Sequence, residues 1–259
     1  MNRYLSEPDL LVILLLLSPL LSSLLCLFSK VISRRFFIVP SFFVWFLGTL
    51  YVLFASSSEI LSGELFSYAL GGWDEPYGIV LELNGITWIA DLLLLGIGIA
   101  VFSHTFRDKT YGPFFYVILF LSFFSLQGIL CTRDIFNLFV FFEILSLCSL
   151  VLIAYDQTSP SLMAAFRYLL MSTISILFFL TGVWILYHYS GTLSLPVMNQ
   201  YLQNNIEHHS VIGIAVAFCC VGIVTRCAVL PFHSWLPHAH AAAPYPVSAL
   251  LSGFFIKVA

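Results

Sequence analysis

The chain predicts an all-α polytopic membrane protein, and three observations carry that prediction. Its 259 residues are 60% hydrophobic and 9% charged, against about 25% charged residues in a soluble domain. Apolar runs of about 20 residues, the length that crosses the hydrocarbon core, recur along it. The loops between those runs alternate in charge.

Seven complete spans are expected near residues 10–29, 36–55, 87–106, 113–130, 135–155, 163–189 and 211–230. An eighth opens at Pro246 and is cut short at Ala259. The first run is long and ends in Lys30, so it reads as a retained helix rather than a cleaved signal. The first loop carries Lys30, Arg34 and Arg35. The second carries Glu59, Glu64, Asp74, Glu75 and Glu82, and the third returns Arg107 and Lys109. Basic loops stay on the cytoplasmic side, which puts the N-terminus outside and the loop between spans seven and eight inside. The external loop, about residues 56–85, contains GGWDEPYGIVLEL, where turn residues followed by alternating apolar positions predict a short hairpin or strand. The organisation expected is 1–110, N-terminal spans and external loop, then 111–259, an ion-conducting region.

A net charge of −3 with no basic arm gives no reason to expect nucleic acid. The six cysteines show no CxxC and read as small buried side chains. No dinucleotide fingerprint, haem-attachment motif or iron–sulfur spacing is present, so no cofactor, no metal and no redox or hydrolytic chemistry is expected in this chain itself.

Charge inside lipid-spanning segments carries the functional signal. Each such residue costs roughly 2.5–3.5 kcal/mol on insertion scales and commonly marks an ion or proton path. Glu143 sits mid-span in FNLFVFFEILSLCSLVLIAY, with Ser146 one turn away on nearly the same face. Its bland alternative is a structural ion pair. Arg226 precedes, and Lys257 follows, a proline-rich break containing Pro231, Pro237, Pro244 and Pro246. Proline removes a backbone donor and clashes with the preceding turn, and a broken helix at membrane depth lines protein or a wet cavity. A sharp loop is the alternative there, a snorkelling side chain for Arg226, and a simple terminal charge for Lys257. Lysine exchanges protons where arginine stays charged, so Arg226 is expected to hold Glu143 ionised and act electrostatically on Lys257. His233, His238 and His240 titrate near neutrality and suit proton entry, or are ordinary loop histidines. Tyr168, Ser172 and Ser175 form a polar stripe in span six, either ordering water or bonding between helices. Asp91, one turn into span three, is expected near the outer surface and receives no role.

Three stretches, DIFNLFVFFEIL, FRYLLMSTISILFFLTGVWILY and above all LPFHSWLPHAHAAAPYPVSALLSGFFIKVA, resemble the antiporter-like subunits shared by respiratory complex I, membrane-bound hydrogenases and Mrp-type cation/proton antiporters. GGWDEPYGIVLELNGIT leans toward the Mrp-type members. The resemblance implies that Glu143 is the family's fifth-helix glutamate and Lys257 its eighth-helix lysine. Arg226 falls where the family usually has lysine, and His238 where many members carry an acid. It further implies the first of two inverted repeats, lacking its end, in a bacterial inner membrane. Its partners would be other membrane subunits, including a polypeptide supplying the remaining helices, with protons and sodium as candidate coupling ions. The function implied is proton translocation within a multisubunit antiporter or NADH:quinone oxidoreductase-like complex. The alternative is a non-transporting remnant or scaffold subunit.

Overall fold

The computed structural model describes residues 7–29, 36–73, 75–108, 110–204 and 209–258. The loop charges Lys30, Arg34, Arg35, Asp74 and Lys109 lie outside the described residues. Among the described residues, six helices are long and apolar enough to cross a membrane. They are α1 (Glu7–Phe28), α2 (Ile38–Ala55), α4 (Gly85–Arg107), α5 (Pro113–Cys131), α6 (Ile135–Ile153) and α7 (Ser159–Ser190). Short α3 (Ser57–Leu61) follows α2, and a two-stranded sheet pairs β1 (Phe66–Ala69) with β2 (Val80–Leu83). The second strand is the VLEL stretch whose alternation predicted it. Then come α8 (Leu195–Asn204), α9 (His209–Arg226), α10 (Trp235–Ala242) and α11 (Tyr245–Leu250), the last running into a π-helical turn at Leu251–Phe255. The architecture is that of an all-α polytopic membrane protein carrying one small strand pair.

Two compact units form, one from residues 1–68 and 81–131, the other from 69–80 and 132–259. In the first, α1 packs on α2 and α5. Trp45 is fully buried, stacked on Phe123 at 4.7 Å between centroids. Its indole occupies the space a side chain at Gly98 would need, so α2 and α4 approach through glycine. Asn84 opens α4 with a reciprocal cap: its Oδ1 accepts from the Ile86 and Thr87 amides, and Thr87 Oγ1 accepts from the Asn84 amide.

In the second unit α7 packs along α9 and α6. Small residues again set the approach: a Cβ at Gly182 would meet Cys219 Sγ at 2.5 Å, and one at Gly222 would meet Ser175 O and Phe179 Cβ at 2.8 Å. Asp134 caps α6, accepting from the Asn137 amide at 2.7 Å. These close packings fix α6, α7 and α9 against one another, and the functional residues sit on their shared face.

Candidate functional site: an ion pair beside a broken helix

Glu143 is the ninth residue of α6, and Arg226 is the last residue of α9. Arg226 Nη2 donates to Glu143 Oε1 at 3.2 Å. Nη1 donates to Ser146 Oγ at 2.8 Å and to the Phe142 carbonyl at 3.2 Å. The guanidinium also lies over the Phe142 ring, 4.8 Å from its centroid. Residues 142, 143 and 146 share one turn of α6, so a single planar fork spans a ring face, a carbonyl, a hydroxyl and a carboxylate. The Arg226 side chain is 11% exposed and that of Glu143 37% exposed. The pair is asymmetric: the cation is held inside and the carboxylate faces partly outward.

Beside the pair is a cavity of about 30 Å³ lined by Tyr168, Ser172, Ser175, Thr225, Arg226 and Trp235, among others. A water needs about 10–15 Å³ measured this way, so it has room for one or two, not a continuous file. The polar stripe predicted on span six faces this cavity. Its hydroxyls divide, because Ser175 Oγ donates to the Gly222 carbonyl at 2.7 Å and so ties α7 to α9. Arg226 Nε is buried and has no hydrogen-bond partner.

The predicted break is present, with its chemistry redistributed. α9 stops at Arg226, four residues short of the expected end. Ala228 takes a left-handed φ of 51°, a conformation that cannot continue a right-handed helix. Trp235 Nε1 then donates to the Thr225 carbonyl at 3.1 Å, satisfying a group the ending helix frees. Pro231 lies in the connection, exposed. Pro237 and Pro246 lie in the first turns of α10 and α11, and Pro244 is the residue before α11. First-turn amides have no partner inside the helix, so these prolines start helices rather than break them. His233 and His238 are exposed, while His240 is half-buried with Nδ1 2.6 Å from Ser248 Oγ, linking α10 to α11.

Lys257 does not join the pair. Leu251, Phe255 and Ile256 line the cavity, whereas Lys257 follows in a turn and is exposed. Each helical residue rotates the side chain by about 100°, which carries the next position away from the face its neighbour presents. The structure thus assembles Glu143, Arg226, Tyr168, Ser172 and Ser175, and leaves Lys257, His233 and His238 outside that assembly. Asp91, which received no role from the sequence, is fully buried between the packed helices. Its signal was in the sequence, a carboxylate with apolar residues on both sides in TWIADLLLL.

Residues 132–259 match the transmembrane family described as NADH:quinone oxidoreductase/Mrp antiporter. Over 262 residues, 97% of this chain and 50% of the relative, the chain is 30% identical to NADH-quinone oxidoreductase subunit N of Desulforudis audaxviator (strain MP104C). Over 253 residues, 95% of this chain and 50% of the relative, it is 29% identical to a Na(+)/H(+) antiporter subunit of Bacillus subtilis (strain 168). The fold is shared with a chain of the archaeal membrane-bound sulfane sulfur reductase, at TM-score 0.85 and 24% identity over 95% of this chain and 51% of that one. It is shared as well with a chain of the Mrp complex from Dietzia sp. DQ12-45-1b, at TM-score 0.84 and 20% identity over 98% and 47%. The chain spans about half the length of the curated relatives it matches. Nearly the whole length of the chain aligns to subunits of both kinds, and its residues 132–259 belong to the antiporter-like membrane family common to NADH:quinone oxidoreductases and Mrp antiporters.

Proposed function

We propose that this chain is a proton-translocating membrane subunit, or the N-terminal part of one, of a multisubunit cation/proton antiporter or NADH:quinone oxidoreductase-like complex. The observation that carries the reading is the Glu143–Arg226 pair, an ion pair in the middle of an apolar helix. The chemistry divides by residue type. Glu143 takes and gives a proton. Arg226 stays charged and sets the field around Glu143 and the hydroxyl-lined cavity. Opening or closing the pair changes the field at Lys257, which passes the proton onward. Because Lys257 is exposed and apart from the pair, this step acts through the field and not by direct contact.

Residues 111–259 form the conducting region in this proposal. α9 and the α11 segment serve as the seventh and eighth crossings, the latter continuing in a further stretch of chain. The N-terminus lies outside, the protein resides in a bacterial inner membrane, and other membrane subunits complete the path as the first of two inverted repeats meets its counterpart. The coupling ions are protons, with sodium as the counter-ion in an antiporter. Glu143→Gln in the assembled complex tests the reading. The expected result is normal assembly with loss of proton transport in reconstituted vesicles, and transport at the wild-type rate would reject it.

A second reading is a scaffold subunit in which the pair is a fixed fastener between α6 and α9. The four-way hold on Arg226 favours it, since three of those partners do not depend on Glu143. Under this reading Glu143→Gln leaves transport intact and lowers only thermal stability.

A further inference from the structure

The first compact unit contains a carboxylate that the Glu143–Arg226 reading does not use. Asp91, the seventh residue of α4, is 0% exposed, and neither of its oxygens has a hydrogen-bond partner. At 1.5 Å per residue it lies about 9 Å inside its helix, within apolar sequence on both sides. The Gln127 side chain of α5 lies beside it and is fully buried as well. Gln127 Nε2 is 3.4 Å from Thr49 Oγ1 on α2, and that hydroxyl is 3.4 Å from Ser18 Oγ on α1. One residue from each of four helices therefore forms a buried polar line, Ser18–Thr49–Gln127–Asp91. The line ends in the carboxylate.

The line is short of one donor. An ionised carboxylate only accepts, as does the amide oxygen of Gln127. Asp91 Oδ1, Asp91 Oδ2 and Gln127 Oε1 are all buried and unpartnered. Turning the Gln127 amide supplies one donor to the carboxylate and still leaves its charge uncompensated. The titratable neighbour is the buried Cys131 thiol of α5. α1 and α2 contribute the hydroxyls of Ser18 and Thr49 to the line, and no cation among the described residues acts on Asp91. A buried, unpaired carboxylate neutralises instead of remaining charged. A proton on one Asp91 oxygen makes that oxygen a donor and gives Gln127 Oε1 the partner it lacks.

We propose that Asp91, with Gln127, Thr49 and Ser18, is a second internal proton-binding site, separate from Glu143 and Arg226. It holds a proton as a neutral carboxylic acid at the end of a buried hydroxyl–amide line. The proposal stands without the Glu143 reading, because it uses none of that site's residues.

Infrared difference spectroscopy of the full chain in its reconstituted native complex tests it. The expected result at neutral pH is a protonated-carboxyl C=O stretching band that shifts in heavy water. The band disappears in Asp91→Asn and persists in Glu143→Gln. Asp91→Asn is isosteric and neutral, so it should assemble with an unchanged melting temperature, and Gln127→Leu should shift the band without removing it. A wild-type spectrum in which Asp91→Asn removes no such band would overturn the proposal. So would a band that vanishes on adding sodium chloride, since the site would then hold a metal cation.

Discussion

Arg226 sits closer to Ser146 than to its ionic partner. Its Nη1 is 2.8 Å from Ser146 Oγ, while Nη2 is 3.2 Å from Glu143 Oε1. The neutral hydroxyl and the Phe142 carbonyl therefore anchor the guanidinium, and the carboxylate occupies the more exposed end of the fork. Glu143 can be neutralised without releasing Arg226, which is what a proton-accepting carboxylate beside a permanent cation requires. A lysine ammonium is a compact point charge with no such fork.

Arg226→Lys separates charge from shape. Lysine keeps the positive charge but cannot reach the Phe142 carbonyl, Ser146 and Glu143 together. Hydrogen bonds to charged groups contribute roughly 1.5–3 kcal/mol each, so a drop of about 2 kcal/mol in stability is expected. Proton transport should survive, because charge and not geometry acts on Glu143. Thermal unfolding in detergent beside vesicle transport measures both, and abolished transport in a folded complex would show that the fork itself is needed.

Ser146→Ala removes the shortest contact to Arg226. The expected cost is about 1 kcal/mol, that of a typical hydrogen bond. Arg226 then relies more heavily on Glu143, so transport should slow while assembly is maintained. Ser146→Thr keeps the hydroxyl and should restore the rate. Transport rates of the two variants side by side make the comparison, and equal slowing in both would assign the effect to packing.

Gly222→Ala tests the seam that aligns the site. The added methyl would lie 2.8 Å from Ser175 O and Phe179 Cβ, so α7 and α9 must separate. Overpacking of this kind costs about 1–3 kcal/mol. The separation also stretches the 2.7 Å bond from Ser175 Oγ to the Gly222 carbonyl. A lower melting temperature together with slower transport is expected, and an unchanged melting temperature would mean that the seam yields to an added methyl without strain.

The spans were legible because length and hydropathy alone define a membrane helix, and α1, α2, α4, α5, α6 and α7 coincide with the first six predicted runs within a few residues. α8 and α10 were not. α8 mixes polar and apolar residues, and α10 is eight residues inside a proline-rich stretch that reads as a loop. Glu143 and Arg226 announced themselves as charges in apolar sequence, and their partnership follows from α6 and α9 sharing α7 as a neighbour. Ser146 was flagged by its one-turn spacing, whereas the Phe142 ring and carbonyl were not, since nothing in composition distinguishes one phenylalanine among 26. The burial of Asp91 and the exposure of Lys257 were not legible, for a common reason. Depth along a helix is readable from sequence, but the side of the helix that faces protein is set by tertiary packing.

Trp235→Phe reports on the break itself. Trp235 is buried, its Nε1 donates to the Thr225 carbonyl at 3.1 Å, and its ring meets the Tyr168 ring edge-on at 5.2 Å between centroids. The same residue thus closes the end of α9 and walls the cavity beside Arg226. Phenylalanine keeps the aromatic contact but leaves the Thr225 carbonyl without its donor, at a cost of about 1–3 kcal/mol for an unsatisfied buried group. Water is the available substitute donor, and a smaller ring enlarges a cavity that now has room for one or two molecules. Faster hydrogen exchange at residues 223–228, relative to α6, is the expected outcome. Tyr168→Phe, which removes only a hydroxyl from the neighbouring ring, should leave that exchange unchanged while reducing transport. If both variants quicken exchange alike, the Trp235 hydrogen bond is not what closes the helix end.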